Sequence, residues 1–170
     1  LANNVKIQIT GDDSVLDLRN GTLEGNRTLL ILCYQGATTN LTGITGVNHR
    51  AEGTGSTEYS NFLQLGSGVD FSTGHGRIEG CNLTAGGNVV YILGKHATDS
   101  SDPSTCTIVN SSMTGRNPIS GNGNCYADVR IESGTFTGQW NLSGNTAAVY
   151  WPGAGKLTIQ GGTFMGGTAV

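Results

Sequence analysis

Apolar and polar residues alternate along this chain in short bursts that Gly, Asn, Ser and Thr interrupt every few positions. Val5, Ile7 and Ile9 alternate with polar neighbours in LANNVKIQIT, which predicts an opening strand with one buried face. GDDS at Gly11–Ser14 marks a turn. A ten-residue phrase then recurs, clearest as VRIESGTFTG from Val129 and LTIQGGTFMG from Leu157. Looser copies are LDLRNGTLEG from Leu16, GRIEGCNLTA from Gly76 and CTIVNSSMTG from Cys106. In register, the anchors are Leu18, Ile78, Ile108, Ile131 and Ile159, followed five residues later by Leu23, Leu83, Met113, Phe136 and Phe164. The anchors step by 60, 30, 23 and 28 residues, and a degraded copy, LTGITGV from Leu41, sits inside the first gap.

A second strand type ends at a Gly four times: LCYQG to Gly36, FLQLG to Gly66, VYILG to Gly94 and VYWPG to Gly153. Counting back from those glycines aligns Cys33, Leu63, Tyr91 and Tyr150, and next to them Leu32, Phe62, Val90 and Val149. No apolar period of 3.6 residues persists, so no helix is expected. Two or three short strands per unit of roughly 21 to 30 residues match one coil of a parallel β-solenoid, in which stacking completes hydrogen bonds and core together. The expected fold is all-β: residues 1–170 as one domain, a right-handed β-helix of about five to six coils with open ends at the coil spacing of about 4.8 Å. Three polar stretches, His49–Ser60, Lys95–Thr105 and Arg116–Asn124, read as surface loops.

Composition narrows the function classes. Charged residues make up 12%, about half the globular norm, and Gly contributes 28 positions. A net charge of −3 offers no basic footprint for nucleic acid. No apolar run is long enough to span a membrane as a helix. The chain opens at Leu1 without an initiator Met or a leader, which reads as a processed chain, a fragment or a stacking subunit. Cys33, Cys81, Cys106 and Cys125 have neither CxxC spacing nor a nearby His, so no metal site is expected. Their even number in a charge-poor, Thr/Asn-rich chain predicts disulfides and an extracellular or cell-surface location, with Cys106–Cys125 favoured, Cys33–Cys81 left over, and buried free thiols the alternative.

The phrases ESGTFTG, LTIQGGTFMGG and AAVYWPGAGKLTI resemble the repeats of right-handed parallel β-helix proteins, most of all the Gly-Thr-Phe repeat surface proteins of bacteria within the pectate-lyase-like solenoid class. The resemblance covers Cys125–Val170 well and Leu16–Gly115 thinly. It implies a fold, and the class spans lyases, glycosidases, tailspikes, adhesins and stalks.

Candidate chemistry lies on outward positions. One column would hold Asp17, Arg77, Thr107, Arg130 and Thr158, and its neighbour Arg19, Glu79, Val109, Glu132 and Gln160. Glu79 and Glu132, with Arg130 beside them, would stand two coils apart, about 9.6 Å, at the loose end of the spacing for an inverting carboxylate pair. Alternating opposite charges on a strand face are also ordinary surface pairs. His49, His75 and His96 read as loop or turn residues without a triad. Tyr34, Tyr91, Tyr150 and Trp151 fall near one corner, where Trp151, Tyr150 and Tyr34 are the candidates for stacking on sugar rings. A core stack of Tyr91 and Tyr150 is the plainer alternative, and alternation puts Tyr150 and Trp151 on opposite faces. Asn26, Asn40, Asn82, Asn110 and Asn141 are N-x-[ST] sequons. Ice or mineral binding by flat Thr rows would need TxT spacing on one face, whereas Thr22, Thr135 and Thr163 come once per unit. No cofactor is expected. The sum is a non-catalytic structural or adhesive β-solenoid, self-associating through open coil ends and presenting loops to surface glycans. A polysaccharide-binding or polysaccharide-cleaving β-helix is the alternative.

Overall fold

The structure, a computed structural model, describes residues 7–50, 60–139 and 146–166. Val5, the sequon at Asn141 and the chain's last four residues lie outside them, as does most of the stretch between His49 and Ser60. The described residues are all-β, with three parallel sheets of six, seven and six strands.

The chain visits the sheets in rotation. Strands β1 (Ile7–Thr10), β2 (Val15–Arg19) and β3 (Thr22–Gly25) enter sheets A, B and C in turn. The order repeats in β4 (Leu29–Tyr34), β5 (Thr38–Thr42) and β6 (Thr45–Asn48), and in β7 (Asn61–Leu65), β8 (His75–Glu79) and β9 (Asn82–Ala85). After β10 (Val90–Ile92) in sheet A, a short β11 (Lys95–His96) intervenes before β12 (Ser104–Val109) and β13 (Ser111–Gly115). The rotation continues through β14 (Ile119–Gly121), β15 (Cys125–Ile131) and β16 (Gly134–Gly138), then β17 (Val149–Tyr150), β18 (Ala154–Ile159) and β19 (Thr163–Met165). Apart from the short β11 and the strands of the first and last passes, each strand therefore pairs in parallel with the strand one pass earlier and one pass later, as in a parallel β-solenoid.

The repeated phrase is the B-to-C corner of this wall. Its anchors form one inward column, Leu18, Leu41, Ile78, Ile108, Ile131 and Ile159, joined in register strand by strand. Leu41 confirms the degraded copy. The second column runs Leu23, Gly46, Leu83, Met113, Phe136 and Phe164. Two residues after the anchor, the corner turns through the left-handed region at Asn20, Gly43, Gly80 and Asn110, residues that tolerate it. In the two GGTF/SGTF copies the positive φ moves one place on, to Gly134 and Gly162.

Sheet A departs from the sequence reading. Its inward column is Ile7, Ile31, Leu63, Val90, Ile119 and Val149, beside Ile9, Cys33, Leu65, Ile92 and Gly121. Counting back from the glycines puts Tyr91 and Tyr150 in one column, as the structure does, but Leu63 pairs with Val90, one residue from Tyr91, and with Ile31, two residues from Cys33, because the strands reach their corners with different numbers of residues. Two expected loops also contain strands. Ile119 in the Arg116–Asn124 stretch is fully buried in β14, and Lys95–His96 pairs antiparallel with Tyr126 and Cys125. Both pieces are too short for a periodicity to register.

Candidate functional site

The outward columns of sheet B are as the sequence arranged them, with Asn40 and Thr42 filling the second pass: Asp17–Asn40–Arg77–Thr107–Arg130 and Arg19–Thr42–Glu79 are in register. Glu132 follows Arg130 one pass beyond Val109, so Glu79 and Glu132 stand two strand spacings apart, about 9.6 Å. Each carboxylate, however, has a local cation. Arg77 donates to Glu79 at 2.9 Å and Arg130 to Glu132 at 2.9 Å, as Arg19 does to Asp17 at 2.7 Å. The guanidinium hydrogen bond holds the Asp17 carboxyl below its ordinary value and lifts Arg19 in return. These are exposed pairs two residues apart on one strand face. The arrangement neutralises the wall of sheet B without enclosing a substrate.

The four cysteines are free thiols, all buried, in place of the two disulfides expected. Register gives the reason. Cys106 pairs with Val129, so Cys125 lies four residues away along β15, about 13 Å by the rise per residue. Cys33 donates to Ala37 O at 3.0 Å and His75 O at 3.7 Å, at the start of β8, whereas Cys81 donates to Glu79 O at 3.4 Å, at its end. Neither pair approaches the Cα separation of roughly 7 Å beyond which bridging fails. Burial pushes all four thiols up, Cys106 to about 12.

The histidines have small local partners. His49 lies 3.4 Å from Glu24, His75 3.0 Å from Thr105 Oγ1, and His96 3.0 Å from Thr98 Oγ1 with its ring edge-on to Phe71. His75 opens strand β8, contrary to its reading as a loop residue. Among the described residues no group of three or more His, Cys, Asp or Glu side chains is arranged to hold a metal ion.

Sheet C presents hydroxyl columns. Thr22, Thr45, Asn82, Ser112, Thr135 and Thr163 are in register on its outer face. Two residues on, Glu24, Val47, Thr84, Thr114, Thr137 and Met165 form the parallel column. The expectation of one Thr per unit thus missed Thr84, Thr114 and Thr137, which complete paired positions on the central passes. Of the sequons, Asn26, Asn82 and Asn110 are exposed and Asn40 is half-buried on sheet B.

The aromatic residues separate. Tyr34 pairs with Thr10 and its hydroxyl accepts from Gln8 Nε2 at 2.9 Å, away from the others. Trp151 packs against the core and over Gly121, where an added Cβ would lie 3.0 Å from Trp151 Cε3. Its indole nitrogen is buried with no partner among the described residues. Tyr150 takes the opposite face and is 52% exposed. Tyr91 shares the outward column of Tyr150, with Ser120 between them, so neither is in a core stack. Around these two tyrosines lies a cleft of about 530 Å³, lined also by Asn88, Asn117, Asn122 and Arg116. The sequence places Tyr91 and Tyr150 in one column but on successive passes; β14, which carries Ser120 between them, lies within an expected loop.

No family model matches the chain, and neither a curated protein nor a solved structure matches it.

Proposed function

We propose that the chain is a non-catalytic structural and adhesive β-solenoid of the Gly-Thr-Phe repeat kind: a right-handed β-helix of six coils that acts as a segment of an extracellular filament, stalk or adhesin and stacks coil on coil. The observation that carries this reading is the continuation of the core columns into exposure. Ile131 and Phe136 are fully buried, while Ile159 and Phe164, in register with them on the next pass, are 49% and 37% exposed. Phe164 stacks on Phe136 with ring centroids 5.0 Å apart and planes at 14°, which leaves its far face for a further coil. Met165 beside it is 47% exposed. Apolar columns ending in water are what coil-on-coil stacking would bury, with the strand edges of β17, β18 and β19 completing their hydrogen bonds at the same time.

Negative-stain microscopy tests this directly. Filaments or end-to-end dimers should appear at high protein concentration and disappear in Phe164→Asp. A chain that stays strictly monomeric in sedimentation at every concentration sinks the stacking reading. A polysaccharide-cleaving β-helix is supported less, because its candidate carboxylates Glu79 and Glu132 are each occupied by the Arg two residues before. Release of reducing or unsaturated ends from acidic polysaccharide, abolished in Glu132→Gln, would reverse that order.

A further inference from the structure

We infer that the cleft on the outer face of sheet A is a binding site for an uncharged oligosaccharide, with Tyr91 and Tyr150 as its two stacking platforms. The tyrosines occupy one outward column and are two strand spacings apart, about 9.6 Å. The residue between them is Ser120, the smallest side chain in that stretch of the column, so the wall dips between two aromatic rings. A trough with a ring at each end suits successive sugar units, whose C–H faces lie flat on aromatic surfaces while their hydroxyls reach sideways. Its volume of about 530 Å³ falls within the range of small-ligand sites.

The rim supplies the matching polar groups. Asn122 Nδ2 donates to the Tyr91 hydroxyl at 2.8 Å, and Asn122 Oδ1 accepts from Asn124 N at 2.9 Å, so both the amide and the phenol are held in place. Asn117 Oδ1 accepts from Ala147 N at 3.0 Å, which fixes the amide plane and leaves its Nδ2 group to donate elsewhere. Asn88 is buried, its amide tied to Asn61 Oδ1 at 2.9 Å. Amides anchored by the backbone pay little ordering entropy on binding, which is the use of preorganisation.

Charge and topology choose the ligand class. Among the described residues no Asp, Glu or Lys lines the cleft, and the one cation among them, Arg116, is already engaged. That removes the acid needed for glycosidic cleavage and the basic row needed for nucleic acid. The strands beneath are paired on both sides by β10, β14 and β17, so the floor has no free edge at β14 for an extended peptide to join. Sugars need neither charge nor a strand edge.

The site goes beyond the stacking reading and does not depend on it, because the cleft faces sideways from the columns that would stack. Isothermal titration of the chain against cellohexaose, mannohexaose, chitohexaose and hexagalacturonate tests it. At least one of the three uncharged hexamers should bind, and Tyr150→Ala should weaken that binding by about tenfold or more. Tyr91→Phe should weaken it less, since it keeps the ring and loses the hydroxyl held by Asn122. Tyr150 is exposed, so Tyr150→Ala should retain the wild-type melting temperature and any filaments. Absence of binding by all three neutral hexamers, binding of hexagalacturonate alone, or affinity unchanged in a Tyr91→Ala/Tyr150→Ala double variant that still melts cooperatively would each overturn the inference. Binding by a strictly monomeric chain would overturn only the stacking reading.

Discussion

The ring of Phe62 occupies the space that a side chain at Gly46 would need. A Cβ built on Gly46 would clash with Phe62 Cε2 and Cζ and lie 2.9 Å from Leu83 Cδ2. Gly46 stands where every other pass of its column has Leu, Met or Phe, and Phe62, fully buried, fills the gap from sheet A. Restoring the repeat's own residue here should therefore harm the fold. Gly46→Leu is expected to destabilise by about 3 kcal/mol through overpacking, and Phe62→Ala by about 3–5 kcal/mol through the cavity. The double variant should be more stable than the sum of the two, a coupling that denaturant titration of all four proteins measures.

Phe136 and Phe164 share a column and a stacking contact but differ in exposure. Phe136→Ala should cost about 3–5 kcal/mol in chemical denaturation. Phe164→Ala should cost clearly less in dilute monomer, since part of its surface is already in water. A larger loss at Phe164 than at Phe136 would place the last pass deeper in the core than the structure does.

Burial of Cys106 has a signature in alkali. Its folded pKa of about 12 lies above the ordinary thiol value of 9.0, so between those values the folded chain holds a proton that the unfolded chain has released. The contribution is fully present below pH 9.0 and is lost as pH rises through about 12. The unfolding free energy should fall above pH 9.0 with a slope of up to about 1.4 kcal/mol per pH unit from this group. Cys106→Ala should flatten that slope while lowering stability at neutral pH. The same burial predicts that aromatic-disulfide reagents titrate few thiols in the native chain and all 4 after unfolding, without a reductant.

A buried amide ladder at the C-to-A corner links Asn48, Asn61 and Asn88. Asn48 Nδ2 donates to Asn61 O at 2.9 Å, and Asn61 Oδ1 accepts from Asn88 Nδ2 at 2.9 Å. Asn61→Ala strands the Asn88 amide in the interior and should cost about 1–3 kcal/mol by thermal or urea unfolding. Asn61→Asp should cost more at neutral pH than at pH 3, because a buried carboxylate needs to be protonated.

The Arg77–Glu79 and Arg130–Glu132 pairs should contribute little to stability. Each is about half exposed, so Glu79→Gln or Glu132→Gln should shift unfolding by less than about 1 kcal/mol, and less again at high salt.

What could be read from the chain alone was local and repeated. Ile131, Phe136 and their relatives announce a rung because strand alternation and the turn residue after it are set within ten consecutive residues. The outward columns of sheet B followed, since they share the rung's register. Sheet A followed only in part, with Tyr91 and Tyr150 in one column: its strands sit between insertions of unequal length, so the Ser120 that separates the two tyrosines, the offset of Leu63 from Cys33, and the cleft depend on how many residues each pass spends at its corners. The cysteines failed for the same reason, their separations being set by rung register and not by sequence distance. Gly46 and Phe62 mark the boundary most sharply. A gap in one repeat and an aromatic in another are each unremarkable along the chain, and close packing in three dimensions makes them one feature.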